Sequence, residues 1–120
     1  MKKIFTLSSI LILTLVLFSA CTKRGYINDE DYWLSRERGV VVYSSAYCPY
    51  YVVETRNGYT IIGAQNGRAP FEGTVIYGDL SRRGSMDLYN YSDGYLISGF
   101  VREYWLSYYD AQNEIDYLCD

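Results

Sequence analysis

Tyr50-Tyr51-Val52-Val53-Glu54-Thr55-Arg56-Asn57-Gly58-Tyr59-Thr60-Ile61-Ile62-Gly63-Ala64 is the stretch on which the fold turns. Two runs of β-branched and aromatic residues flank Asn57-Gly58, a dipeptide that favours the positive φ angles of tight hairpin turns. The segment predicts a β-hairpin of Tyr50 to Arg56 with Tyr59 to Ala64. If Asn57 and Gly58 form the two-residue loop, Arg56 faces Tyr59, Thr55 faces Thr60, Glu54 faces Ile61 and Val53 faces Ile62. Tyr51, Val53, Ile62 and Ala64 then share one side, which is the expected core.

Working outward, Val40 to Tyr43 reads as a strand before the hairpin. Gln65 to Glu72 reads as a loop, Gly73 to Tyr77 as a strand, and Gly78 to Gly84 as a polar loop carrying Arg82 and Arg83. A second hairpin follows, Met86 to Tyr91 and Tyr95 to Glu103 around Ser92-Asp93-Gly94. The two hairpins share a turn-Tyr-x-Ile-x-Gly pattern, Asn57 to Gly63 against Asp93 to Gly99, which strand mechanics explains better than a repeat. Gly63 and Gly99 are expected where a strongly coiled sheet bends or closes on itself.

Helices are expected at both ends of this β region. Asn28 is a candidate N-cap, with Asp29, Glu30 and Asp31 in the first turn and Ile27 and Tyr32 as a hydrophobic staple. Arg36 and Arg38 would lie near that helix's end and Gly39 would stop it. At the other end, Ser107 caps a helix from Tyr108 to about Leu118, with Tyr108, Ala111, Ile115 and Leu118 on one face. The fold class is mainly β with two helices (α+β). It is a small, strongly bent antiparallel sheet or partly open β-barrel, OB-like in outline, with the C-terminal helix packed on the sheet or plugging one end.

The first 20 residues read differently. Lys2 and Lys3 precede an uncharged apolar run from Ile4 to Phe18, followed by Ser19 and Ala20. That is the three-part layout of a cleaved export signal. The run is short against the roughly 20 apolar residues that span a bilayer, and Thr6, Ser8, Ser9 and Thr14 dilute it.

Phe18-Ser19-Ala20-Cys21 resembles the lipobox of bacterial lipoproteins, with Phe18 in the place where Leu is usual. The resemblance implies diacylglyceryl transfer to the Cys21 thiol, cleavage before Cys21 and fatty-acid (palmitate-type) acylation of the freed amine. Two acyl chains make a stable anchor, because each buried methylene contributes about 0.8 kcal/mol. The expected organisation is leader 1–20, lipidated tether 21–27 and one β-rich domain 28–120, held in the cell envelope by a membrane anchor. Thr22 after the cysteine favours the outer membrane over the inner under the enteric sorting rule, with periplasmic and surface faces both open.

Loss of Lys2 and Lys3 with the leader takes the formal net charge from −3 to −5. An acidic domain whose basic clusters are no larger than Lys23-Arg24 and Arg82-Arg83 does not offer the concentrated positive face that nucleic acid requires. With Cys21 assigned to lipid, Cys48 and Cys119 remain, and in an oxidising compartment they pair as a disulfide or stay as two buried thiols.

The chain contains no histidine, which excludes Ser-His-Asp and Cys-His catalysis and histidine metal ligation. No metal site, phosphate cradle or cofactor is expected. Glu54, Glu72, Asp79 and Asp87 lie in the β region and define a less favoured carboxylate-pair glycosidase. A non-catalytic domain is the expectation.

Tyrosine stands out, with 15 in the chain. It offers stiff contact area with a polar tip, which suits both half-buried pleated surfaces and binding faces. Tyr89, Tyr91, Tyr104, Trp105, Tyr108 and Tyr109 are the candidates for a surface that takes an envelope protein or glycan. A purely structural envelope lipoprotein is the alternative.

Overall fold

The computed structural model describes residues 30–119. The leader, the lipobox with Cys21, the tether and the Asn28 cap lie outside these residues. The chain divides into two units, Met1–Tyr32 and Trp33–Asp120, and every strand among the described residues belongs to the second.

Residues 30–34 are helical (α1). Six strands follow, β1 (Glu37–Ser45), β2 (Cys48–Thr55), β3 (Gly58–Ala64), β4 (Val75–Gly78), β5 (Gly84–Asn90) and β6 (Tyr95–Leu106), then helix α2 (Tyr108–Cys119). The strands close into an antiparallel barrel in the order β1-β2-β3-β6-β5-β4. Two three-stranded meanders are thus joined edge to edge by β3–β6 and β4–β1, leaving no free sheet edge. The barrel has six strands, one more than an OB-type fold.

The first hairpin forms where the Asn-Gly signal falls, but its pairing is Thr55↔Gly58, Glu54↔Tyr59, Val53↔Thr60 and Tyr51↔Ile62. The loop residues are Arg56 and Asn57, one position earlier than expected. Among the described residues Trp105 is the only non-glycine with positive φ. Asn57 therefore does not take the left-handed conformation of a type I′ turn, and Gly58, at φ 122°, takes the positive angle instead. The Thr55 hydroxyl accepts from the Asn57 N–H (3.1 Å) and donates to the Gly58 carbonyl (3.0 Å), which locks this turn. Moving the turn by one residue leaves the facing sides unchanged, so Tyr51, Val53 and Ile62 are buried in the core, with Ala64 packed against it.

The N-terminal helix ends earlier than the sequence predicts. Residues 35 and 36 form a turn and bend, Arg38 lies in β1, and Gly39 pairs with Thr55 on one side and Ile76 on the other. Pairing of this segment between two neighbouring strands outweighs the stop signal of a single glycine. Gly39, Gly78 and Gly99 make room in a narrow barrel. A Cβ at Gly39 would run into Val53 and Leu80, one at Gly78 into Leu88, and one at Gly99 would sit 2.8 Å from Ile62 Cγ2.

The loop between β4 and β5 is not wholly polar. Leu80 is 0% exposed and joins Val41, Tyr51, Val53, Ile62, Ile76, Leu88 and Val101 in the barrel interior. Its carbonyl accepts from the buried Thr60 hydroxyl at 3.0 Å, which fastens the loop across the barrel end. Beyond its expected end at Glu103, β6 runs on to Leu106.

Helix α2 begins as expected, with the Ser107 hydroxyl accepting from the Asp110 N–H at 3.1 Å. It lies on the outside of the barrel, where Ala111 and Ile115 form a second small core with Val52 and Ile61. Cys119, its last residue, is disulfide-bonded to Cys48 at the start of β2, with the Cα atoms 5.4 Å apart. Arg102 of β6 adds an ion pair to Glu114 at 3.3 Å.

Candidate binding surfaces

Two apolar surfaces lie on opposite walls of the barrel, and irregularities in the strands place the first of them. In the β1–β2 ladder Val41 pairs with Val53 but Tyr43 pairs with Val52, so Val42 is an extra residue. Regular alternation would point Tyr43 inward beside Val41. The bulge reverses the parity, so Tyr43 joins Val52 on the outer face against α2. Val42 stays 41% exposed. A second bulge, in the β3–β6 ladder, carries Trp105 at φ 59° and brings Leu106 opposite Tyr59.

Between these elements and α2 lies an open groove of about 290 Å³, walled by Val42, Tyr43, Val52, Tyr59, Tyr108 and Ile115, with Ala111 and Gln112 completing it. Tyr59 and Tyr108 meet edge to face at 5.8 Å at its mouth. The Tyr59 hydroxyl donates to Glu54 Oε2 at 3.1 Å. Partial desolvation, then the hydrogen bond and charge of Glu54, hold this phenol above its ordinary value. The polar side-chain groups of the groove are few, the Gln112 amide and the phenols of Tyr43, Tyr59 and Tyr108. The volume lies near the lower end of the roughly 300–1,000 Å³ of small-ligand sites, enough for one or two apolar side chains.

The second surface covers the outer face of β4 and β5. Cross-strand pairing sets Arg38, Tyr77, Tyr89 and Leu96 in one row. All four point outward, because their neighbours Ile76, Leu88 and Ile97 point into the core. Val40 and Val75 pair one step along, and the Tyr91 N–H donates to the Val75 carbonyl at 2.9 Å. Tyr77 and Tyr91 meet edge to face at 5.8 Å, Tyr89 and Tyr91 at 6.3 Å, and Trp33 stacks over Tyr89 at 6.3 Å. Tyr91 is 46% and Leu96 53% exposed.

The six aromatic residues singled out in the sequence are not one patch. Tyr89 and Tyr91 belong to the β4–β5 face. Asn90 pairs with Tyr95, and Trp105 lies ten residues further along β6, roughly 30 Å away at about 3.3 Å per residue. Tyr104 and Trp105 form their own edge-to-face pair at 5.7 Å. Tyr104 packs against the barrel core, while Trp105 is 62% exposed and donates from Nε1 to Ser81 Oγ at 2.8 Å. Tyr108 lines the groove, and Tyr109 is exposed on α2 outside it.

Sequence reasoning missed Trp33, Tyr77, Val42, Tyr43 and Tyr59. Period-2 alternation from Val75 could have found Tyr77, whereas the bulge at Val42 leaves no local signal.

Each of three candidate carboxylates has its own neighbour. Glu54 accepts from Tyr59, Asp79 pairs with Arg82 at 2.8 Å, and Asp87 lies 3.5 Å from the Ser98 hydroxyl. Glu72 is an exposed turn residue. Among the described residues no group of three or more Cys, Asp or Glu side chains is placed to hold a metal ion. No helix among them is long and apolar enough to cross a membrane. Comparison with known proteins matches the chain to no protein family, no curated protein and no solved structure.

Proposed function

We propose that this protein is a lipid-anchored, non-catalytic binding domain of the bacterial cell envelope, which takes an apolar side chain of an envelope protein into the groove beside α2. The observation that carries this reading is the groove itself. Ser107 and the Cys48–Cys119 bond fix both ends of α2, and Ala111 and Ile115 seat it on β2 and β3. The bulged strand β1 leaves the gap beside it open. A preformed apolar cleft with stiff aromatic rims loses little conformational freedom on binding. A glycan is a poorer fit, because the side chains of the walls offer only Gln112 and three phenols to its hydroxyl groups.

The reading is tested in cells with a photo-crosslinking residue placed at Gln112 in the groove, or at Tyr117, which is exposed on the same helix but outside it. The expected result is one discrete envelope partner captured from position 112, absent from position 117 and lost on Val42→Asp. The same diffuse pattern from both positions overturns the proposal. In parallel, labelled fatty acid should enter the wild-type protein and not Cys21→Ser. An unacylated wild-type protein refutes the anchor.

A further inference from the structure

We infer that the aromatic face of β4 and β5 rests in the headgroup layer of the membrane that holds the lipidated Cys21, so that the groove beside α2 faces away from that membrane. The inference rests on the anchored reading above and adds an orientation and a second binding surface to it.

Three observations converge on a lipid surface as the occupant. The first is chemistry. Trp33, Tyr77, Tyr89 and Tyr91 form a linked aromatic strip bordered by Val40, Val75 and Leu96. Tyrosine and tryptophan rings with polar tips are the side chains that settle at membrane–water boundaries.

The second is reach. The described domain begins beside this strip, because Trp33 is its first residue and stacks on Tyr89. The twelve residues from Cys21 to Trp33 span at most about 40 Å even when fully extended. An acylated Cys21 therefore keeps the start of the domain within that distance of the bilayer, and tethering raises the effective concentration of even a weak surface contact.

The third is the charge beside the strip. Arg38 stands in the same cross-strand row as Tyr77, and Arg36 and Arg56 line the adjoining groove with it, together with Glu37, which accepts from Asn57 and Ser81, and Glu54, which accepts from Tyr59. Neither Arg38 nor Arg56 has an ion-pair partner among the described residues. Guanidinium groups at the margin of an aromatic strip suit lipid phosphates. On the other flank Asp87 is engaged with Ser98 and Asp93 with Asn90.

The strand order supplies the orientation. In a closed barrel ordered β1-β2-β3-β6-β5-β4, β5 lies across from β2 and β4 across from β3. The strip is carried by β4 and β5, whereas α2 packs on β2 and β3. A barrel lying on its β4–β5 wall turns the groove outward, where a protein partner can reach it.

The test uses the acylated protein purified from cells and reconstituted into phosphatidylethanolamine–phosphatidylglycerol vesicles, with its two tryptophans as position reporters. Mass measurement of the N-terminal peptide and vesicle flotation first establish the anchor. Tryptophan emission is then recorded with lipids brominated near the headgroup, for Trp105→Phe, which leaves Trp33, and for Trp33→Phe, which leaves Trp105.

The inference expects strong quenching and a blue shift for Trp33 and little change for Trp105. Tyr89→Ala with Tyr91→Ala, still acylated and folded by circular dichroism, should weaken the surface contact about tenfold. An acylated, floating protein whose Trp33 is quenched no more than Trp105 overturns the docking and leaves the anchor standing. Protein that carries no lipid and does not float refutes the anchor and the docking with it. Trp33 shielded without vesicles as protein concentration rises assigns the strip to a second copy of the chain and overturns the membrane occupant.

Discussion

Replacing Cys48 and Cys119 together by Ala removes a bond between residues 71 apart in sequence, a loop that holds almost all of the barrel and α2. Closing a loop of that length removes chain entropy from the unfolded state worth on the order of 4 kcal/mol at 25 °C. That is a large share of the roughly 5–15 kcal/mol that stabilises an ordinary domain. The loss acts through the unfolded chain, so all strands should weaken together. Helix α2 should stay docked in the native state, because Ala111 and Ile115 remain buried on Val52 and Ile61 and Arg102 still reaches Glu114. Urea unfolding of the oxidised protein and the double variant, followed by fluorescence and circular dichroism, measures the difference. The slope against urea should also rise, since an unlinked denatured chain is more expanded. Hydrogen exchange should show β3 and β5 amides losing protection along with those of α2. A change below about 1 kcal/mol, or loss of protection confined to α2, would refute the reasoning and reduce the disulfide to a local pin.

Gly99→Val should destabilise the barrel by about 1–3 kcal/mol in the same urea assay. Its Cβ would lie 2.8 Å from Ile62 Cγ2 and 3.1 Å from Leu88 Cδ1, and both side chains are fully buried. Burial raises the Tyr51 phenol above its ordinary value. As pH passes about 10 the unfolded chain therefore ionises this group while the folded barrel keeps it neutral. The folded state then binds the extra proton, so stability falls as pH rises from about 10 towards the raised folded value. Tyr51→Phe should flatten that alkaline loss in urea midpoints measured between pH 8 and 11, and an unchanged slope would refute the assignment.

Much of this protein was legible in its sequence because the signals are local. Asn57-Gly58 between β-branched runs determined a hairpin, and period-2 alternation determined that Tyr51, Val53, Ile62 and Ala64 share its inner side. Ser107 followed by apolar residues at helical spacing determined α2. The register was read one residue off because the Thr55 hydroxyl and the backbone beside Gly58 select the turn, and a dipeptide pattern does not contain either. The end of α1 was misread for a related reason. Gly39 looks like a helix stop, yet it is paired between Thr55 of β2 and Ile76 of β4, 16 and 37 positions away.

Closure and the binding surfaces were decided by tertiary structure alone. Joining β1 to β4 and β3 to β6 requires each strand to find a partner far along the chain, and no local pattern encodes that choice. The bulge at Val42 sends Tyr43 to the outer face, because one extra residue against an unbroken partner strand reverses the pleat. Tyr89 and Trp105 were grouped by composition, but the β5–β6 register carries them to opposite ends of the barrel, since antiparallel strands separate what the turn between them brings near.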